Sequence, residues 1–180
     1  MQTVLRGIAA GISVWTCLVG VSATSAQQNA SRTVGDSASV ARELDMVYAS
    51  FRNAYARLDP AAVAGLYTND ALYLAGESEV RRGRAAIRAV FDEFFSSVQR
   101  DNARLELRFR ILRRAIAPRL ATDVGYYHLV RVRGGARGKP SVGRFVTVLR
   151  EETDGKWRFS VDSYTDAAAE EYEQAPSREP

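Results

Sequence analysis

Cysteine and histidine are almost absent from this chain of 180 residues, since each occurs once, as Cys17 and His128. A single cysteine excludes a disulfide within the chain, and one cysteine with one histidine leaves no ligand cluster of the kind that holds zinc. The glycines that could suggest a phosphate-binding loop, Gly134, Gly135 and Gly138, lie between predicted strands and do not precede a helix. We therefore expect no metal site and no cofactor.

A long hydrophobic run is also missing, because the apolar segment at residues 7–21 is shorter than the roughly 18 residues that a membrane-spanning helix needs. Arg6 is the one charge that precedes it, and small residues follow up to Ala26. This order is typical of a secretory signal peptide, residues 1–26, that is cleaved after Ala26, although a retained anchor is the alternative. We expect a secreted or periplasmic protein that has no stable membrane anchor and, with Cys17 removed, no thiol.

Lysine is scarce, since the basic residues are arginines except for Lys139 and Lys156, and the net charge is +4. Two groups of arginines lie on or beside one predicted strand face, and they are Arg104, Arg108, Arg110, Arg114, Arg131, Arg133 and Arg137. Such a face could bind a polyanion or an acidic partner. We prefer the interpretation that it is the solvated side of an antiparallel sheet, and we expect no nucleic acid as a partner.

The composition, 46% apolar and 26% charged, is typical of one globular domain. Residues 27–36 are polar and small and predict a disordered leader, so the folded domain is expected at residues 37–165. Residues 166–180 are rich in acidic side chains and predict an acidic disordered tail. That tail could instead fold back on the arginine-bearing face of the sheet.

Helical periodicity fills the first half of the domain. Apolar residues recur at spacings of three and four from Val40 to Leu58, which predicts a helix from Ser37 to about Arg57. Asp59-Pro60 then predicts the capped start of a two-turn helix. A third helix is expected from Gly83, with a wide apolar stripe that ends in Phe94 and Phe95.

Beyond Asp101 the apolar period changes from about 3.6 to two, which is the signature of half-buried antiparallel strands. The strands expected from this pattern cover residues 105–111, 121–132, 142–150 and 157–164, after a short strand at 71–74. A long hairpin loop is expected at 133–140, and Asp154-Gly155 predicts a tight hairpin turn. The sequence thus predicts an α+β fold of three helices followed by a sheet.

Four segments carry a family resemblance: LYTNDA at 66–71, VRRGRAAI at 80–87, GRFVTVLR at 143–150 and DGKWR at 154–158. In this order and spacing they resemble the nuclear-transport-factor-2-like superfamily, and within it the SnoaL-like and ketosteroid-isomerase-like branch of small secreted bacterial domains. The resemblance covers nearly all of residues 37–165. It implies a cone-like fold, in which three N-terminal helices pack on a curved mixed or antiparallel sheet and enclose a pocket, and it implies a homodimer.

The steroid isomerase chemistry does not carry over to this chain. By the same resemblance, the general-base aspartate of that reaction falls near Ala75, the oxyanion-binding tyrosine near Phe51, and the protonated acid near Thr147. None of the three groups is present at these positions. We therefore exclude steroid isomerisation by that mechanism.

The resemblance also implies which side chains face the pocket. On the strands these are Ser160, Asp162 and Tyr164, then Tyr126, His128 and Val130, and then Phe145, Thr147 and Leu149. The helices would add Phe51, Tyr55, Tyr67 and Phe91. The expected pocket is aromatic, with His128 and Asp162 as its main polar groups and Tyr126, Thr147 and Tyr164 as further ligand contacts.

His128 and Asp162 are the candidate catalytic residues, because a histidine oriented by an aspartate can move protons near neutral pH. The Thr147 strand is expected to lie between them, which places their backbones about 10 Å apart at ~4.8 Å per strand. The alternative for His128 is a half-buried histidine hydrogen-bonded to a tyrosine. Asp162 must be paired or must face a cavity, and it can be a ligand contact or a structural hydrogen-bonding group.

Three hypotheses for the function follow. The first is a binding domain for a small apolar or aromatic molecule, held in the pocket of a homodimer. The second is a cofactor-independent isomerase, dehydratase or cyclase in which His128 and Asp162 transfer protons. The third is a purely structural interaction domain, whose pocket would be filled by side chains.

Overall fold

The structure is a computed structural model that describes residues 23–76, 78–176 and 180, with side chains described from Ser37 onward. Most of the expected signal peptide, including Cys17, lies outside the described residues. The chain divides into two compact units, Met1–Val34 and Gly35–Pro180, and the site described below belongs to the second. In the described part of the chain, we find no helix with the length and apolar character that a membrane crossing requires.

The three predicted helices are present: α1 at Ala23–Ala56, α2 at Pro60–Gly65 and, after two strands, α3 at Gly83–Arg100. Helix α1 begins before Ser37, so residues 27–36, expected to be a disordered leader, are helical. This stretch contains no proline, so no residue in it blocks the backbone hydrogen bonding of a helix. The Asp59 carboxylate accepts a 2.8 Å hydrogen bond from the Ala62 amide, which confirms the predicted cap of α2.

The strands of the sheet are β1 Tyr67–Ala75, β2 Arg81–Arg82, β3 Ala103–Ala117, β4 Leu120–Arg133, β5 Ala136–Arg137, β6 Ser141–Glu151 and β7 Trp157–Asp166. Their order in the sheet is β2-β1-β7-β6-β4-β3, and β5 pairs with β4. Strands β1 and β7 run parallel, and the other neighbours pair antiparallel. Together with the helices this gives the predicted α+β cone fold with a curved, mixed sheet.

Two β-bulges interrupt the long strands. In β3 the register shifts between Ile111 and Arg113, so Leu112 is an extra residue there. In β7 the register shifts at Ser160, whose hydroxyl donates a 3.1 Å hydrogen bond to the Val148 carbonyl of β6. An extra residue reverses which alternate side chains face the core, so the strict alternation read from the sequence holds on one side of each bulge and fails on the other.

The acidic segment at residues 166–180 does not simply trail as a disordered tail, because it contains a short helix, α4, at Ala169–Gln174. Tyr172 of α4 is 4% exposed, and its ring packs 4.2 Å from the guanidinium of Arg110 on β3. The same guanidinium donates hydrogen bonds to the carbonyls of Tyr172, Glu173 and Ala175. The Tyr172 ring and the guanidinium of Arg110, which satisfies carbonyls at the helix end, thus help to hold α4 on the sheet.

Candidate functional site

An open cavity of about 380 Å³ lies between α1, α3 and the concave face of the sheet. Five tyrosines and six phenylalanines line it, together with three aliphatic residues and four polar ones. The lining residues are Tyr48, Phe51, Tyr55, Tyr73, Val90, Phe91, Phe94, Leu107, Phe109, Tyr127, Leu129, Ser141, Phe145, Thr147, Phe159, Asp162, Tyr164 and Asp166. We call this space the aromatic cavity.

Asp162 is the partly buried carboxyl group of the aromatic cavity. The β7 bulge at Ser160 places it on the concave face together with Phe159, three residues earlier. Burial raises the pKa of the Asp162 carboxyl from 3.8 to about 6, and a hydrogen bond from Tyr67 opposes part of that rise. The Tyr67 hydroxyl donates this bond to Asp162 Oδ2 at 2.6 Å. Such a carboxyl can bind a hydrogen-bond donor or exchange a proton near neutral pH.

Six of the predicted site residues do line the aromatic cavity, namely Phe51, Tyr55, Phe91, Thr147, Asp162 and Tyr164. Tyr67 lies behind the wall, fully buried, and contributes through its hydrogen bond to Asp162. Thr147 is held in place by the hydroxyl of Tyr48, whose oxygen lies 2.9 Å from Thr147 Oγ1. The predicted inward face of β6 is therefore the one that the structure shows.

His128 and Tyr126 do not line the aromatic cavity, so their predicted place in the pocket is wrong. On β4 the inward side chains are Tyr127 and Leu129, one residue out of phase with the expected set. Both faces of β4 are partly covered, so a burial pattern read from the sequence could not distinguish them.

On the opposite face of the sheet, both side chains contact α4. The Tyr126 hydroxyl donates a 3.1 Å hydrogen bond to Glu171 Oε2, and the His128 ring lies 5.0 Å from the ring of Tyr172. Burial lowers the pKa of His128.

His128 and Asp162 are also separated within the sheet. Strand β6 lies between their strands, as expected, but His128 pairs with Val142 whereas Asp162 pairs with Thr147, further along the same strand. A proton relay between the two side chains is therefore incompatible with the fold. Ser160, expected to face inward, is instead the bulge residue, with its hydroxyl bonded to the backbone.

Several lining residues were not among those predicted from the sequence. Tyr48 lies three residues before Phe51 on the apolar face of α1, and Tyr73 lies in the apolar strand β1, so helical and strand periodicity could have indicated both. The place of Tyr127 in the cavity wall could be found only from the structure. Its ring fits over Gly143, where an added Cβ would lie 2.3 Å from a ring carbon, and meets Tyr164 edge to face at 5.5 Å.

The tyrosines of the aromatic cavity are neutral hydrogen-bonding groups. Burial raises the pKa values of Tyr48, Tyr55 and Tyr73, which keeps their hydroxyls protonated at physiological pH. The Tyr73 hydroxyl donates a 3.2 Å hydrogen bond to the Tyr164 hydroxyl. The wall near Asp162 can therefore donate or accept hydrogen bonds without carrying charge.

Arg114 is buried, and not on the solvated sheet face where the sequence placed it with Arg110. The β3 bulge at Leu112 reverses the alternation, so the Arg114 side chain is 4% exposed. It donates hydrogen bonds of 2.8 and 2.9 Å to both carboxylate oxygens of Asp123, which is fully buried. A further bond of 2.7 Å reaches Asp45 on α1. This ion cluster ties α1 to the sheet close to Tyr48, since Asp123 pairs with Thr147 across the strands.

Metal chemistry has no support in the described part of the chain, where no three histidine, cysteine, aspartate or glutamate side chains gather in a way that could hold an ion. The carboxyl groups of the aromatic cavity are Asp162 and Asp166, which is exposed. The site is therefore an apolar, aromatic enclosure with one partly buried carboxyl group, that of Asp162.

Solved structures share this fold. An NTF2-like protein with a cystatin-like fold from Novosphingobium aromaticivorans is 19% identical, with a TM-score of 0.64 over 83% of this chain and 94% of that one. A ketosteroid isomerase-like protein from Erwinia carotovora atroseptica is 15% identical, with a TM-score of 0.56 over 68% and 92%. A protein from Catenulispora acidiphila in complex with S-DNPA is 18% identical, with a TM-score of 0.60 over 72% and 94%. At these identities the likeness establishes the fold.

The family follows from the sequence match. No curated protein matches the chain. The model of the SnoaL-like domain matches residues 47–159, which include α2, α3, strands β1 to β6 and the start of β7. This match spans more than half of the chain and agrees with the cone fold, so the protein belongs to the SnoaL-like domain family.

Proposed function

We propose that this protein binds a small apolar or aromatic molecule in the aromatic cavity and contacts its polar group through Asp162. The observation that carries the proposal is the cavity itself: about 380 Å³ of open space, walled by eleven aromatic rings around one partly buried carboxyl. Ligand sites in proteins are typically about 300 to 1,000 Å³ in volume and largely apolar, with few polar groups. The cavity has these properties.

Two further observations support binding over a purely structural role. A structural interaction domain would fill its interior with side chains, since protein cores are close-packed, whereas here the space between the helices and the sheet is open. The Catenulispora acidiphila protein of the same fold was solved in complex with S-DNPA. Ligand binding is therefore compatible with this fold.

Export and dimer formation belong to the same proposal. The N-terminal segment has the order of a signal peptide, so the binding domain would act outside the cytoplasm. The homodimer follows from the superfamily resemblance. Size-exclusion chromatography with light scattering on the exported protein would decide both the processed mass and the assembly.

A cofactor-independent enzyme is the second candidate, favoured by one observation: the pKa of the Asp162 carboxyl, raised to about 6, suits a group that takes a proton from a substrate and returns it. His128 takes no part in this version, because it lies on the opposite face of the sheet. Asp162 would act as the single proton carrier of an isomerase, dehydratase or cyclase reaction.

Native mass spectrometry of protein purified from its own source tests the binding proposal. We expect a retained small molecule in the wild type and its loss in Leu129→Trp, which fills the aromatic cavity. The matched control is Leu112→Trp, because Leu112 is 43% exposed and lies outside the cavity. Equal retention by the two variants would contradict the proposal.

The same ligand separates binding from catalysis. The purified protein is incubated with the identified molecule, and its conversion is followed by chromatography. Turnover that Asp162→Asn abolishes, with binding retained, supports the enzyme. Absence of turnover with tight binding supports the binding protein.

A further inference from the structure

We propose that the ligand of the aromatic cavity is a cation, namely an aromatic or alkyl amine that binds as its ammonium form. This inference rests on the proposed function, because it names the chemical class of the molecule that the cavity binds. It is carried by the charges and the rings that line the cavity, taken together.

The charged groups that line the aromatic cavity are all of one sign. They are the carboxyls of Asp162, within the cavity, and Asp166, which is exposed. The chain contains 25 basic residues, yet none of the described lining residues is an arginine or a lysine. A carboxylate or phosphate ligand would meet like charges here and find no partner, whereas an ammonium group would find an acceptor.

Two arginines on strands that line the cavity are already paired with carboxylates. Arg131, two residues beyond the lining residue Leu129, donates hydrogen bonds to the Asp101 carboxylate and to Ser97 Oγ. Arg114 is bound by two carboxylates, those of Asp123 and Asp45. Their positive charge is compensated locally, so it does not offset the negative charge of Asp162.

The aromatic rings beside Asp162 suit a cation as well. The Tyr73 ring lies 5.7 Å from that of Phe91 and 5.8 Å from that of Tyr164, and both pairs are inclined at 64°. Tyr73 is the pairing partner of Asp162 on the neighbouring strand. Rings at steep angles surround a group on several sides, and their negative faces attract an ammonium ion that has left water.

The hydrogen bonding of Asp162 also favours a cationic ligand. Asp162 has one protein hydrogen-bond partner among the described residues, the Tyr67 hydroxyl, which leaves Oδ1 without a protein donor. A neutral apolar ligand would cover this carboxylate and leave it without compensation, which is costly in an apolar site. An ammonium group would donate to it and neutralise it.

Three probes that differ in charge but share one ring system test the inference: 2-(2-naphthyl)ethylamine, 2-(2-naphthyl)ethanol and 2-naphthylacetate. Their dissociation constants are measured by isothermal titration calorimetry at pH 8, where the amine is protonated and Asp162 is ionised. We expect the ammonium to bind at least about tenfold more tightly than the alcohol, and the carboxylate to bind most weakly.

Variants show whether the preference comes from the cavity. Asp162→Asn removes the carboxylate within the cavity, and we expect most of the preference for the ammonium over the alcohol to be lost. Glu79→Gln is the matched control, because it changes the net charge by the same amount at a side chain that is 90% exposed. It should keep the full preference.

The binding results distinguish failure of the cation inference from failure of the proposed binding function. Equal binding of the ammonium and the alcohol to the wild type overturns the cation inference and leaves the proposed function intact. A preference that is undiminished in Asp162→Asn also overturns it. If none of the three probes binds, and Leu129→Trp changes nothing, then both the cation inference and the proposed binding function are wrong.

Discussion

The Tyr67 hydroxyl donates a 2.6 Å hydrogen bond to Asp162 Oδ2, and this bond joins the start of β1 to the middle of β7. The two strands run parallel, and the register between them shifts after the pair Tyr67 and Phe159. The shift brings a tyrosine at one end of β1 under a carboxyl that pairs with Tyr73. In the part of the chain that the structure describes, the one donor to this cavity carboxyl is therefore Tyr67, which lies behind the cavity wall.

Removing this donor should make Asp162 harder to ionise. The Tyr67 bond stabilises the carboxylate, so in Tyr67→Phe the pKa of Asp162 should rise above its wild-type value of about 6. We expect a loss in the free energy of unfolding of about 1 kcal/mol at pH 7. Carbon-detected NMR titration of the Asp162 carboxyl measures the pKa.

The control is Tyr73→Phe, which removes the bond to Tyr164 and leaves the bond from Tyr67 in place. An unchanged pKa of Asp162 in Tyr67→Phe would contradict the role assigned to this hydrogen bond.

Asp162→Asn should stabilise the protein at neutral pH. A carboxyl whose pKa is raised from 3.8 in the unfolded chain to about 6 in the folded one opposes folding when it is ionised. This loss of folding stability is absent below pH 3.8, grows as the pH rises from 3.8 to about 6, and is complete above about pH 6. The amide can still accept the bond from Tyr67, so we expect a gain of about 1 to 3 kcal/mol at pH 7.5.

Urea unfolding of the wild type and of Asp162→Asn at pH 7.5 and pH 4 measures this gain. The difference between the two proteins should be large at pH 7.5 and small at pH 4. A difference that does not depend on pH would show that ionisation of Asp162 is not its cause.

Arg114 should be far more important for stability than an arginine whose carboxylate partner is exposed. Arg114→Met leaves the carboxylate of Asp123 fully buried without its partner, and we expect a loss of about 3 to 5 kcal/mol in the free energy of unfolding. The comparison is Arg158→Met, which removes an ion pair with the partly exposed Asp154 and should cost less than about 1 kcal/mol.

The double variant Arg114→Met/Asp123→Leu removes both charges and should recover part of the loss. Thermal unfolding followed by circular dichroism ranks the three proteins. Equal stability of Arg114→Met and Arg158→Met would refute the assignment of Arg114 as a buried partner of Asp123.

Helix α4 should control the pKa of His128. Burial lowers this pKa, and the Tyr172 ring covers the imidazole at 5.0 Å. In Tyr172→Ala the imidazole becomes more exposed, so its pKa should rise towards the ordinary value of 6.5. Because His128 is the one histidine in the chain, its ring proton signals can be followed by NMR without assignment.

Glu170→Gln is the control for this experiment, since it changes an exposed residue in the first turn of the same helix. It should leave the His128 titration close to that of the wild type. A wild-type titration curve in Tyr172→Ala would mean that α4 does not cover His128 in solution.

Much of the fold could be predicted because it depends on local signals. The apolar spacing of α1, the Asp59-Pro60 cap of α2 and the period-two strands are properties of neighbouring residues. The Asp154-Gly155 turn between β6 and β7 is another. In each case the residues that specify the element lie within it. The inward face of β6, with Phe145 and Thr147, was predicted from the family resemblance.

The errors at the site arise where a distant part of the chain decides the result. On β4, Tyr126 and His128 are covered by α4, while Tyr127 and Leu129 face the cavity, so both faces carry apolar or aromatic residues and alternation gives no answer. At Leu112 a bulge reverses the alternation and buries Arg114. A bulge is defined by pairing with the neighbouring strand, and a single sequence does not show that pairing.

The sequence by itself determined the family, the α+β cone and Asp162 as the acid to study, because these follow from motifs, periodicity and the scarcity of other chemical groups. The tertiary structure decided that Asp162 and His128 lie on opposite faces of the sheet and that the hydrogen-bond donor to Asp162 is Tyr67. It also decided that the acidic segment packs on the sheet as α4. The physical reason is that a side chain's face and partners depend on strand register and on covering elements. Both are set by contacts between residues far apart in the chain.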